Sequence, residues 1–298
     1  MRVLITGGSG FLGSHIGDEL IRRGHDVVVL DAAPIPGAHR ETVAADIRDL
    51  EAVRTAMGGC QAVFHCAAIA DLERAREEPR TAIEVNVLGT LNVLEAAASA
   101  GVSRVMHASS VYVFSKGGSV YRTTKQAAEN LVQDLASGLG LSATVLRFGS
   151  LYGPRADAQN AIARLVSQAV NEGRIDFWGD GTETREYVHI RDAASLAVDA
   201  LDDRFVGEAL HITGRERLTT IELLGMINEI LGGQVDISMR DEPFDGRYRL
   251  TPYSFDTSLG RRLTAETYVD LGLGLLEAIQ EASDRQRDSL GSTWVPLS

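Results

Sequence analysis

Short apolar, β-branched runs alternate with longer amphipathic stretches through the first half of the chain. Arg2–Thr6 (RVLIT) reads as a strand and Phe11–Arg23 as a helix. HDVVVLD, ending at Asp31, is a second strand, and TVAAD, ending at Asp46, a short third; Leu50–Met57 is helical. CQAVFHCAA (60–68) is apolar almost throughout, the mark of a central strand in a parallel sheet whose two faces are both covered. Arg80–Ala100 reads as one long helix carrying Ile83, Val87, Leu91 and Leu94. VSRVMHASS, ending at Ser110, is the next strand, Tyr121–Leu139 a helix, and LSATVLRF, ending at Phe148, another strand. This alternation predicts right-handed βαβ units and an α/β protein with a doubly wound parallel sheet.

After Gly149 the rhythm changes. Long loops (GSLYGPRADAQN, FWGDGTETREY, RDEPFDGRYRLTPY) separate helices near Ala158–Glu172, Arg191–Leu201, Thr219–Leu231 and Leu271–Ser283. The expectation is a first domain over 1–149 and a smaller α/β lobe over 150–298, some of whose segments return to the sheet, with a shared cleft. At 298 residues the chain can bury a substantial core. A net charge of −12 argues against a duplex nucleic-acid binder, yet leaves room for arginines focused on a small anion. No apolar run is long enough to span a bilayer, and a strand beginning at Arg2 leaves no room for a leader. Cys60 and Cys66 do not form a disulfide framework, which points to a reducing cytoplasm; neither has a charged neighbour in sequence to activate it. No spacing suggests metal ligands; His65, His107 and His189 fall in strand-like runs and read as packed, hydrogen-bonded histidines.

ITGGSGFLGSHI (5–16) carries the strongest local signal. Gly8-x-Gly10-x-x-Gly13 and Gly7-x-x-Gly10-x-x-Gly13 both fit, after a strand and at a helix start, where glycines allow a tight turn and close approach of a pyrophosphate. This is the Rossmann-type dinucleotide arrangement. Asp31 ends the second strand 18 residues beyond Gly13, where a carboxylate binds ribose hydroxyls and repels a 2′-phosphate, favouring NAD over NADP. Asp46 could accept from the adenine amino group with Ile47 packed on the ring; equally, Asp46 could cap the helix that follows.

VYRTTK (120–125) poses a sharper question. The chain has 29 basic residues and only two lysines, Lys116 and Lys125. Lys125 lies one helical turn after Tyr121, on the same face. A phenol is a poor base at neutral pH until a nearby ammonium stabilises its anion, and a compact lysine does this where a planar guanidinium would not. Ser110, at the C-terminal end of a strand, can bridge a substrate hydroxyl and Tyr121.

With these residues in register, the sequence resembles the extended short-chain dehydrogenase/reductase family, the NAD-dependent epimerase/dehydratases of nucleotide sugars, over nearly its whole length. TGGSGFLGS looks like the family's opening loop, VFHCAA its fourth-strand motif, NVLGTLNVLEAA its long helix, SSVYVFS its Ser-Ser-x-x-Val-Tyr-Gly, YRTTK its Tyr-x-x-x-Lys, LRFGSLYGP its Arg-x-x-Asn-x-Tyr-Gly-Pro and GDGTETREYVHIRD its diphosphate-gripping segment. The resemblance implies catalysis by Ser110, Tyr121 and Lys125. It implies NAD contacts at Gly7, Gly10, Phe11, Leu12, Gly13, Asp31, Asp46, Ile47, Ala67, Ala68, Asn86, Tyr121 and Lys125. Substrate contacts fall to Ser110, Ser150, Arg185 and Arg249, with Arg247 the alternative to Arg249. It also implies a homodimer through helices 80–100 and 121–139, and a nucleotide diphospho-sugar as partner, UDP being the commonest carrier.

Three departures refine this expectation. Only 11 positions separate Ser110 from Tyr121, so the mouth of the site is more open. Ser150 replaces the usual asparagine. Val111-Tyr112 stands where 4,6-dehydratases carry Asp-Glu and nucleotide-sugar decarboxylases carry Glu; Tyr112 reads as loop packing in preference to an active-site phenol. The expected activity is C4 epimerisation of a UDP-hexose or hexuronate through a 4-keto intermediate. The alternatives are a dehydratase, 4-keto-sugar reductase or sugar dehydrogenase on the same site, or a non-catalytic dinucleotide-binding regulator.

Overall fold

Eight parallel strands form one sheet that organises the chain. In chain order the strands are β1 (Arg2–Thr6), β2 (Asp26–Asp31), β3 (Glu41–Ala44), β4 (Ala62–His65), β5 (Arg104–Ser110), β6 (Ser142–Phe148), β7 (Ser150–Tyr152), β8 (Arg174–Trp178), β9 (Thr184–His189), β10 (Ala209–Ile212), β11 (Arg217–Thr219), β12 (Asp236–Arg240) and β13 (Arg261–Leu263). The helices are α1 (Phe11–Arg22), α2 (Leu50–Ala56), α3 (Leu72–Glu77), α4 (Pro79–Ile83), α5 (Gly89–Ala100), α6 (Ser119–Leu135), α7 (Ala161–Glu172), α8 (Ile190–Asp199), α9 (Thr220–Ile230) and α10 (Leu271–Gly291). The computed structural model describes residues 1–35, 41–115, 119–240 and 260–291.

The large sheet runs β13-β10-β6-β5-β4-β1-β2-β3 with every pair parallel. β10 and β13, from the second half of the chain, extend it beyond β6. Alternate residues of each central strand feed opposite cores. Val3, Ile5, Val27, Val29 and Phe64 pack with α1 and α8, whereas Leu4, Val28, Leu30 and Val63 pack with α2, α5 and α6. Both faces are thus dry, which is why the strands read as continuous apolar runs. A third core, around Tyr152, Ile175 and Phe177, joins α7, α9 and α10. β1 lies between β2 and β4, so the strand order reverses there and a crevice opens at the C-terminal ends of β1 and β4.

Several elements differ from the sequence expectation. The helix read as Arg80–Ala100 starts at Pro79 and passes through a π-helical turn, Glu84–Leu88, before α5. The wider turn accommodates one extra residue without ending the helix, so an unbroken apolar periodicity conceals it. Helix α6 starts two residues early, at Ser119, and ends at Leu135, not Leu139. The short helix α3 and, apart from the strand-like run around His189 in β9, the strands β7 to β13 were not legible, because strands of three to six residues show too little periodicity and exist by pairing with distant segments. Among the described residues no helix is long and apolar enough to cross a membrane.

Candidate active site

The loop from β1 to α1 is shaped by contacts that only glycines permit. Gly7 has φ 69° and donates its N–H to Leu30 O (2.8 Å), and a Cβ there would lie 2.7 Å from the Ala67 backbone. A Cβ on Gly13 would collide with the Gly7 carbonyl oxygen and stand 2.9 Å from Gly8 Cα. Gly10 is the N-cap of α1 without a capping side chain, and no acidic residue occupies the first turn. The first N–H groups of α1 therefore face an open crevice, ready for an anion. Asp31 closes the loop: Oδ2 accepts from Ser9 N–H and Oδ1 from Ala33 N–H, both at 2.9 Å.

Two contiguous lobes of a cleft, about 410 and 340 Å³, meet at Gly7, Gly10, Cys66, Ala68, Ile69 and Arg74. Asp31, Asp46, Ile47 and Ala67 line the first lobe. Phe11, Leu12, Gly13, Ser110, Tyr121 and Lys125 line the second. A two-lobed cleft with the glycine cradle where the lobes meet and the strand-end carboxylate Asp31 in one lobe fits a dinucleotide. At the far end Asp46 does not cap α2; Asp49 does, accepting from Glu51 and Ala52 N–H. Asp46 instead accepts from Arg48 N–H (2.8 Å) and pairs with its guanidinium (2.8 Å), which holds the carboxyl below its usual range. Ile47 rests on Gly89, where a Cβ would come within 2.5 Å of Ile47 Cδ1.

At the other end the candidate catalytic groups converge. Ser110, Tyr121 and Lys125 are 9%, 7% and 5% exposed, so their interactions act in a poorly hydrated setting. Lys125 Nζ donates to Ala108 O (2.9 Å). Burial lowers its pKa to about 8, opposed by Cys66 and Glu129. Ser110 Oγ accepts from Tyr112 N–H (3.3 Å). The Tyr112 ring meets the Tyr121 ring edge-to-face, centroids 6.0 Å apart, so it packs on the candidate base itself and not merely within its own loop. Cys66 does have a cationic neighbour, Lys125, which sequence distance hid; burial nonetheless pushes its thiol up to about 12.

Asn86 lies behind the cleft wall. Its Oδ1 accepts from Ile69 N–H (2.7 Å), and its Nδ2 donates to Ile69 O and Thr124 Oγ1 (both 3.0 Å). Both ends of the amide are thus used to tie the loop after β4 to the helix bearing Tyr121 and Lys125, and Asn86 is not among the described residues lining the cleft. His65 bridges Thr6 (2.8 Å) and Thr90 (2.9 Å), and His189 caps α8. His107 departs from expectation: among the described residues neither ring nitrogen has a hydrogen-bond partner, and burial holds its pKa well below the usual value.

Ser150 and Arg185 are not among the described residues lining the cleft. Gly149 and Leu151 line it on either side of Ser150, as alternation along a strand dictates. Arg185 sits on β9 and donates to Thr184 O (3.2 Å). Arg247 and Arg249 lie outside the described residues. The sequence reading missed Arg74, Asp157 and Gln159, all in the cleft wall. Their only available signal was position, in segments that follow β4 and β7.

Fold and cleft together define a dinucleotide-binding α/β protein with Ser110, Tyr121 and Lys125 lining one end of the cleft. The chain belongs to the NAD dependent epimerase/dehydratase family, whose model matches residues 3–212. It is similar to the UDP-N-acetyl-alpha-D-glucosaminuronate decarboxylase of Bacillus cytotoxicus, with 29% identity over 88% of each chain. Among solved structures it resembles MoeE5 in complex with UDP-glucose and NAD (30% identity, TM-score 0.82, 97% of this chain and 100% of that one). It also resembles the UDP-glucose 4-epimerase of Thermus thermophilus in complex with NAD (28% identity, TM-score 0.79, 95% and 99%). The family acts on nucleotide sugars with NAD, through epimerases, dehydratases and decarboxylases.

Proposed function

We propose that this chain is a nucleotide-sugar 4-epimerase acting on a UDP-hexose or UDP-hexuronate. The observation that carries this reading is the packing of Tyr112 on Tyr121. Elimination or decarboxylation calls for an added acid or base beside the substrate, and position 112 holds a phenol packed edge-to-face against the base instead. The two carboxylates in that lobe of the cleft, Asp71 and Asp157, serve their own loops: Asp71 accepts from Arg74 N–H (2.6 Å), and Asp157 from Gln159 and Asn160 N–H (3.0 and 3.1 Å).

Tyr121, as phenolate, takes the proton of the sugar C4 hydroxyl. Lys125, largely protonated at pH 7, supports that phenolate and holds ribose hydroxyls. Ser110 already accepts the Tyr112 N–H, so its own proton is free to bridge the C4 oxygen and Tyr121. NAD, when bound, supplies a hydride acceptor that can return the hydride. Return to the opposite face of the 4-keto sugar inverts C4, and Tyr121 gives the proton back. Arg185 and Ser150 are our candidates for the diphosphate and the sugar. We infer further that α4–α5 and α6 pair in a homodimer, supported by the exposed Ile83 and Leu88 along that face; light scattering giving a monomer at micromolar concentration would refute it.

The test is incubation with UDP-glucose and with UDP-glucuronate, followed by NMR of the sugar. Inversion at C4 without NADH build-up is expected, and Tyr121→Phe should slow it by about 10²-fold or more. A 4-keto-6-deoxy sugar, a pentose with released CO₂, or stoichiometric NADH would each replace the epimerase reading by a dehydratase, decarboxylase or dehydrogenase.

A further inference from the structure

Tyr121, Lys125 and Glu129 recur at i, i+4 and i+8 on α6 and so share one helix face. Glu129 is buried, and it does not point into water. Arg147 from β6 grips it with both ends of the guanidinium, Nε to Oε1 at 3.0 Å and Nη2 to Oε2 at 2.7 Å. Ser109 Oγ donates to Oε1 (2.5 Å). Ser109 and Arg147 are register partners on β5 and β6, and Ser109 immediately precedes Ser110. The guanidinium also lies over the Phe114 ring, 4.6 Å from its centroid, in the turn that follows Ser110. One ion pair thus joins the strand end bearing Ser110, the turn bearing Tyr112 and the helix bearing Tyr121 and Lys125.

Such a pair is a poor source of stability, because desolvation offsets most of its attraction and apolar residues of similar volume can do as well. What apolar residues cannot supply is a fixed hydrogen-bonded register and a negative charge near Lys125. The titratable groups that interact with Lys125 are His65 and Cys66 from β4 and its end, His107 from β5 and Glu129 from its own helix, with the Arg147 guanidinium of β6 bound to the far side of Glu129. The histidines and the thiol are neutral at pH 7, so Glu129 is the anion of that set.

We propose that Glu129, held by Arg147 and Ser109, is a positioning residue of the catalytic centre, docking α6 on the ends of β5 and β6 and setting a carboxylate one helical turn from the Lys125 ammonium. The proposal rests on the reading of Lys125 as a group that binds the cofactor ribose in its charged form.

The test uses NAD itself, so that it does not depend on which sugar is the substrate. NAD affinity of the full chain is measured from about pH 6 to 10, a range spanning the lysine titration. In the wild type it should fall as pH rises through the Lys125 pKa, and Lys125→Met should flatten the curve. In Glu129→Gln the midpoint should move to lower pH by about half a unit or more, because a neighbouring anion no longer favours the ammonium. The double variant Glu129→Leu/Arg147→Met covers the case in which the single variant does not fold. It should melt within a few degrees of wild type and show a smaller downward move than the single variant, because the guanidinium of Arg147 leaves together with the carboxylate. An unchanged midpoint in a folded variant overturns the proposal. A wild-type curve with no inflection removed by Lys125→Met overturns the reading of Lys125, and the proposal with it.

Discussion

Two alanine substitutions in the glycine loop separate the part of the loop that folds from the part that binds. In Gly13→Ala the new methyl overlaps the Gly7 carbonyl oxygen and stands 2.9 Å from both Gly7 C and Gly8 Cα. Carbon atoms rest at about 3.5–4.0 Å, so α1 must retreat from the loop by on the order of 1 Å. All three obstacles are backbone atoms of one tight turn, and no rotamer change relieves them. Overpacking of this kind costs about 1–3 kcal/mol, a fall in melting temperature of roughly 2–5 °C for a chain this size. The displaced helix end carries the N–H groups aimed at the pyrophosphate, and a loss of about 1–3 kcal/mol there weakens NAD by roughly 5- to 150-fold. Gly10→Ala behaves differently. Its φ of −73° suits any residue, and its methyl meets only Gly7 O, at 3.3 Å. The cofactor-free protein should melt within about 2 °C of wild type, while the methyl occupies the path of the pyrophosphate and NAD affinity falls. Differential scanning fluorimetry and NAD calorimetry on both variants decide the matter. Wild-type melting and affinity in Gly13→Ala, or an equal drop in melting with unchanged NAD affinity in Gly10→Ala, would show that the two glycines do not play these separate parts.

Other expectations follow from single contacts. Lys125 titrates from 10.5 in the unfolded chain to about 8 in the fold, a burial cost of about 3 kcal/mol below pH 8. Between these values the unfolded chain binds more protons, so wild-type stability rises with pH; cofactor-free Lys125→Met should be the more stable at pH 7, with the gap closing towards pH 10.5. Denaturant melts at the two ends of that window that differ by equal amounts would contradict this. Asp31→Ser should raise NADP affinity relative to NAD by removing the charge that repels a 2′-phosphate, and an unaltered NAD/NADP ratio in a binding titration argues against Asp31 as the selector. Gly89→Ala should push Ile47 into the adenine end of the cleft, where the obstacle is a movable side chain, Ile47 Cδ1 at 2.5 Å; the expected result is weaker binding of AMP with little change in melting, measured on the same sample.

Much of the cofactor half could be read from the chain. β1, α1 and β2 are contiguous, and the glycines between them answer to steric limits within a few residues, so spacing alone located the crevice. Tyr121 and Lys125 likewise sit one turn apart on one helix. Their surroundings were not readable in that way. Asn86 sits in a π-helical turn whose interruption leaves the apolar periodicity intact, and its amide meets Ile69 and Thr124 behind the wall. Arg147, a lone charge in an apolar strand, and Glu129, a turn beyond Lys125, each carried a hint, but nothing in their spacing joined them.

The α/β alternation, the dinucleotide loop and the Tyr-x-x-x-Lys helix are fixed locally, because each depends on periodicity and steric rules between near neighbours in the chain. That Tyr112 packs on Tyr121, that Cys66 and Glu129 flank Lys125, and that β10 and β13 finish the sheet begun by the first half are properties of the folded chain alone. Burial, desolvation and charge pairing depend on which distant segments pack around a group, and that neighbourhood exists only once the chain has folded.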